Sequence, residues 1–302
     1  MSWIRTARSL ASDTYAEWTK DKAPRLGAAL AYYTAFSLAP VLLIGISIAG
    51  LALGREAAAG RVQDELAGLV GPQGAGTVQD MIASAWKPST GRWSLVLGAV
   101  MLLFGASGVF GQLQDAMNTI WEVRPDPQRG LWGTIRDRFF SFVMVLGTGF
   151  LLLVSLLLSA AVGALADRLG PAGPAVSLTA SLVLATGLFA AIFKVVPDAH
   201  VRWRDVWVGA TATALLFAIG KELLGLYLGR SSVASSYGAA GSVLVLLLWV
   251  YYAAQILFLG AEFTQVWANR FGGRVQPARG AVPLLPEKRA EEGIPHRRAQ
   301  KR

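Results

Sequence analysis

"AGSVLVLLLWVYYAAQILFLGAEFTQV", residues 240–266, holds a single charged residue, Glu262, in an otherwise apolar run. Crossing about 30 Å of hydrocarbon takes about 20 consecutive helical residues, and this stretch is longer than that. At helical spacing Tyr251, Gln255, Phe258 and Glu262 share one face. Lipid offers such polar groups no partner, so that face belongs to a bundle interior or a wet cavity. A helix of this kind does not fold alone, and the rest of the chain supplies its neighbours.

Composition agrees with a membrane bundle. Of 302 residues 54% are hydrophobic and 16% charged, with a mean hydropathy of +0.46; soluble domains carry about 25% charged residues. Five further segments are long and apolar enough to span, near 26–53, 93–117, 139–163, 174–195 and 206–228. The expected fold is therefore all-α, a polytopic integral membrane protein of six transmembrane helices. An even number puts both termini on one side, and the loops on that side carry 21 Lys and Arg against 6 on the other. By the positive-inside rule both termini are cytoplasmic. The first twenty residues show no apolar core or cleavage site of a leader. With no cysteine no thiolate centre can form, the two histidines cannot by themselves build a zinc site, and no cofactor is expected.

The span pattern divides the chain. Residues 1–24 read as an interfacial amphipathic helix, with Trp3, Ala7, Leu10, Ala11, Tyr15 and Trp18 in one stripe. Residues 25–268 form the six-helix domain. Its external loop, 54–92, carries two short amphipathic faces, led by Val62 and Val78. Residues 269–302, rich in Pro and basic groups, read as a disordered cytoplasmic tail attracted to anionic lipid headgroups. No nucleic-acid partner is expected, because the tail lacks aromatics interleaved with its charges.

Candidate pathway residues follow from polar groups at membrane depth. Pro40 predicts a kink in the first span, with Tyr32, Tyr33 and Ser37 in its inner half. In the second span Gly105, Gly108, Gln112 and Asp115 share a face, with Asn118 beside them. Tyr32, Tyr33, Asp115, Asn118, Gln255 and Glu262 lie at similar inner-half depths and suggest an inward-facing polar vestibule, against a plainer reading of tight packing and ordinary helix ends. Lys221 and Glu222 sit in the fifth span, about 10 Å from its outer end at about 1.5 Å per residue. Adjacent helix positions diverge by about 100°, so the two are expected not to neutralise each other directly. Lys221 either snorkels outward or forms a charged station toward a cavity.

The stretches "ALAYYTAFSLAP" (29–40), "DAMNTIW" (115–121), "VPDAHVRWRDVWVGA" (196–210), "LLFAIGKELLGLYL" (215–228) and "YGAAGSVLVLLLWVYYAAQILFLGAEFT" (237–264) occur in an order that resembles the YihY/BrkB (virulence factor BrkB) family. The resemblance covers roughly residues 20–268 and implies six spans with cytoplasmic ends in the bacterial inner membrane. It also implies export of amphipathic solutes or envelope lipids. An older label for such proteins, a tRNA-processing ribonuclease, finds no support in the residues: Asp126, Asp137, Asp198, His200 and Asp205 lack metal-ligand spacing. The expected function is transport of a small amphipathic or lipid-like substrate, with no enzyme activity. The alternative is a non-transporting scaffold for envelope organisation, and self-association is compatible with either.

Overall fold

The computed structural model describes residues 2–54, 108–127, 170–230 and 239–285, with scattered residues between 56 and 80 and residue 162. The expected spans at 93–117 and 139–163 lie largely outside the described residues.

Two helices open the chain, α1 (Ser2–Lys20) and α2 (Ala23–Leu53). They meet at a tight corner, Asp21–Lys22, where Lys22 adopts φ 53°. That left-handed turn ends α1, and Pro24 follows within the first turn of α2, where a missing N–H costs nothing. α2 continues unbroken through Pro40. Helical residues 108–120 (α3) end at a second left-handed residue, Glu122 at φ 55°, and lead into strand β1 (Val123–Pro125). A 3-10 turn, Gly170–Ala172, precedes α4 (Gly173–Val195). Strand β2 (Ala199–His200), α5 (Trp203–Arg230), α6 (Ala239–Phe271), β3 (Gln276–Pro277) and β4 (Ala281–Pro283) complete the described elements.

Three helices are long and apolar enough to cross a membrane among the described residues: Gly173–Val195, Trp203–Tyr227 and Val243–Phe271, with mean hydropathies of 2.1, 1.3 and 2.2. Their outward faces carry Leu178, Val183, Leu188, Leu215, Ile219 and Leu223, as a lipid-facing surface requires. α6 is the hub, packing against α5, α2 and α1, while α4 packs on α5. The main core joins Leu30, Trp121, Phe189, Phe193, Val206, Ala210 and Phe258. A second cluster places Val62 and Val78 over Leu42, Ile46 and Leu246. The leading residue of each amphipathic face in the 54–92 loop is thus packed onto α2 and α6.

The α5–α6 contact shows why small residues lie where they do. A Cβ added at Gly209 would collide with Thr264, and one added at Gly260 would collide with Thr213. Each helix therefore presents a glycine to the other's threonine, four residues from a threonine of its own. Thr213 Oγ1 donates to the Gly209 carbonyl at 2.7 Å, and Thr264 Oγ1 to the Gly260 carbonyl at 2.6 Å. Both hydroxyls are satisfied inside their own helix, so close backbone approach strands no polar atom.

Two expectations change. The segment after α6 is not structureless through residue 285. β4 pairs antiparallel with β1, Val123 opposite Pro283, and β3 pairs with β2, Ala199 opposite Pro277. Leu284 is buried, and its N–H donates to the Glu122 carbonyl at 2.8 Å. The partners of these strands lie 160 and 78 residues away, Val123 from Pro283 and Ala199 from Pro277, so local composition could not announce them. α1 packs on α6 through Leu10 and Thr14, with Asp21 buried in the following turn, and leaves Ala7, Ala11 and Tyr15 of its apolar stripe exposed. Arg270 at the end of α6 donates to Ser9 Oγ at 2.8 Å and pairs with Asp13 at 3.4 Å. Finally, Lys221 and Glu222 do pair, at 3.6 Å. Their long arms bridge the angular separation of their Cα atoms.

Candidate functional site

Glu262 is fully buried on α6, and neither carboxylate oxygen has a hydrogen-bond partner. The groups acting on its charge come from two chain corners. Glu17, Lys20 and Asp21 belong to the end of α1 and its turn, and Glu122 to the end of α3. Lys20, the one cation of the set, is engaged elsewhere: its Nζ bonds Glu17 Oε2 at 2.6 Å and approaches Glu122 Oε1 at 3.9 Å. Both corners turn through left-handed residues, Lys22 and Glu122, a conformation uncommon without glycine.

More unpartnered polar atoms occur on the same elements. Thr14 Oγ1 and Trp18 Nε1 on α1, and Trp121 Nε1 at the end of α3, are buried without partners. Two turns back along α6, Gln255 has both its amide nitrogen and oxygen buried and unpartnered. A Cβ at Gly27 would strike the Gln255 Nε2, so glycine there lets α2 close onto this amide. Gln255 and Glu262, seven residues apart, thus form a polar line about 10 Å long at about 1.5 Å rise per residue. One end lies against α2 and the other among the acids of the two corners.

The other sequence candidates divide between several environments. Ser37 is buried, and Gly108 packs against it and against Tyr33, which joins α3 to α2. Tyr32 and Tyr33 are exposed, as is Asp115; Gln112 is half-buried. Asn118 is buried but turned to a different task. Its Nδ2 donates to Asp198 Oδ2 at 3.0 Å, while the Asp198 N–H donates to Asn118 Oδ1 at 2.8 Å. This reciprocal pair latches the end of α3 to the loop before β2. Lys221 and Glu222 are both exposed, away from the buried line. The side chain of Pro40 lies outside the described residues.

Sequence reasoning found Gln255 and Glu262 but missed the groups around Glu262. Glu17, Asp21 and Glu122 lie at helix ends and turns, far from Glu262 along the chain. Only Trp18 and Trp121 carried a signal, as large aromatics beside helix ends.

The model of the family described as virulence factor BrkB matches residues 14–284, nine-tenths of the chain's span and all of the site. The chain belongs to the virulence factor BrkB family. Its match begins at Thr14 and ends at Leu284, so it takes in the buried face of α1 and the return strand β4. Relatives in the BrkB family include a UPF0761 membrane protein of Tolumonas auensis, 33% identical over 63% of this chain and 62% of the relative. One of Pseudomonas paraeruginosa is 29% identical over 88% of this chain and 65% of the relative, and one of Pseudomonas aeruginosa 29% over 83% and 62%. The chain thus spans less than two thirds of the length of these relatives. No solved structure matches it. Its apolar helices and its relatives make it a helical membrane protein with bacterial kin.

Proposed function

We propose that this BrkB-family protein is a transporter, moving a small amphipathic or lipid-like substrate across the bacterial inner membrane without enzyme chemistry of its own. It crosses six times with both termini in the cytoplasm, and basic residues beyond α6 meet anionic headgroups there. The observation that carries this reading is the polar line of Gln255 and Glu262, unpartnered within the core of an otherwise apolar helix. Polar and ionisable groups at membrane depth are costly, and they mark substrate and ion pathways. A protein that served only as a scaffold would gain nothing from them.

The test is reconstitution in liposomes, with fluorescent lipid analogues and amphipathic dyes followed across the bilayer. Translocation above protein-free vesicles, reduced in Gln255→Leu protein of normal yield, is expected. Folded protein that moves none of these probes, in a strain whose envelope is disorganised without it, points instead to the scaffold. Topology is tested separately, since the chain has no native cysteine. An impermeant thiol reagent should reach single cysteines at Gln79 and Ala172 from outside, and at His200 and Leu285 only after permeabilisation. Structured RNA incubated with the purified protein and magnesium, manganese or zinc should remain intact.

A further inference from the structure

We infer that Glu262 is a binding site for an exchangeable monovalent cation, a proton or an alkali ion, held at the junction of α1, α3 and α6. The argument is one of charge. A carboxylate wholly removed from water and left without a partner costs several kcal/mol, so the group is neutralised by whatever it can bind. Among the described residues the one cation that acts on Glu262 is Lys20, and its ammonium is held by other acids. Lys20 is shared between Glu17 and Glu122, and the remaining charges acting on Glu262 are the acids Glu17, Asp21 and Glu122. Among the described residues α2 and α5, which also pack on α6, add no charge to this set. α5 meets α6 at Gly260 and Thr264, through Thr213 and Gly209, about 200° around the helix from Glu262 at about 100° per residue.

The chemistry of the donors sets the class of ion. Among the described residues no three acidic or histidine side chains converge closely enough to hold a metal ion, which disfavours a divalent cation. One carboxylate suffices for a proton, and a hydrated alkali ion needs only a few oxygens more. Thr14 offers such an oxygen, buried and unpartnered on the same stretch of α1. The indole N–H of Trp121, buried beside Glu122, can donate only to an oxygen, from the carboxyl or from water entering with the ion. The charges around the site come from the two corners that turn at Lys22 and Glu122, on the side of α6 away from its contact with α5.

Binding at Glu262 stands independently of transport; its use to drive substrate movement rests on the transporter reading above. Infrared difference spectroscopy on the purified full chain in nanodiscs separates the two. In medium free of sodium and potassium, raising the pH from mildly acidic to mildly alkaline should remove one buried carboxylic-acid C=O band. At fixed pH, sodium or potassium that displaces the proton should remove the same band and release about one proton per chain, identifying the alkali ion as ligand. The band should be absent in Glu262→Gln and displaced in Glu262→Asp, which keeps a carboxyl if the first variant fails to fold. A carboxyl spectrum that responds to neither pH nor alkali ion, or a responding band unchanged in both variants, overturns the site. Loss of transport with the band response intact would instead count against the transporter reading alone.

Discussion

Where α6 meets α5, Thr264 and Thr213 are completely buried and each hydroxyl bonds a carbonyl one turn earlier in its own helix. Where the same helix meets α1 and α2, Gln255 and Glu262 are turned inward with no partner. Both faces bury polar side chains in an apolar bundle, yet only one satisfies them. Polar groups that serve packing carry their own partner, so they reveal nothing about ligands. Groups left unpartnered at a cost of about 1–3 kcal/mol each are the ones to test for something that binds or passes. The contrast separates structure from function on a single helix.

The strongest challenge to the packing face is bulk. Gly209→Val places a side chain where Thr264 already sits, and overpacking of this kind costs about 1–3 kcal/mol or more. Folded yield and detergent melting temperature should fall sharply, and Thr264→Ala in the same chain should restore part of the loss. Full stability in the single variant would show that the two backbones do not approach as described. Next in size is Asn118→Ala, which strips the Asp198 N–H of its partner and leaves its carboxylate only the long bond from Gln114 Nε2 at 3.4 Å, at about 1–3 kcal/mol. Limited proteolysis should then cut earlier in the loop before β2.

Smaller effects sharpen the contrast between faces. Thr213→Val keeps the shape but deletes a hydrogen bond, worth about 0.6 kcal/mol on average between membrane helices, so the melting temperature should drop slightly. Gln255→Met on the other face should cost nothing in melting temperature, since the amide it removes has no partner to lose. An equal or greater loss for Gln255→Met would mean that this amide is structural after all, and the distinction between the faces would fail. Smallest is Lys221→Leu. The exposed Lys221–Glu222 pair belongs to neither buried face, and exposed pairs contribute about 0–1 kcal/mol. Its folded yield should match the wild type, and so should amphiphile translocation in liposomes.

Legibility followed the range of the interaction. The spans that became α4, α5 and α6 could be placed within a few residues, because apolar length is a local property. Gln255 and Glu262 could be singled out for the same reason, as polar residues on one face of an apolar helix. The latch between Asn118 and Asp198 was beyond reach although both residues drew notice, one as a pathway group and the other as a loop acid 80 positions away. Tyr32, Tyr33 and Asp115 shared a depth with Gln255 and Glu262 by span arithmetic, but depth says nothing of rotation about a helix axis. The structure turns them to the surface.

The sequence by itself determined that the chain is a helical membrane protein and that α6 hides a carboxyl in its apolar run, since hydrophobic length and charge are written residue by residue. Tertiary structure decided which polar groups are satisfied. Asp21 sits in a turn that periodicity assigns to solvent, yet it is buried because α1 folds back onto α6. Residues 276–283 are ordered because β1 and β2 offer them backbone partners from distant parts of the chain. A hydrogen-bond partner is a property of two positions at once, and nothing in either stretch alone specifies the other.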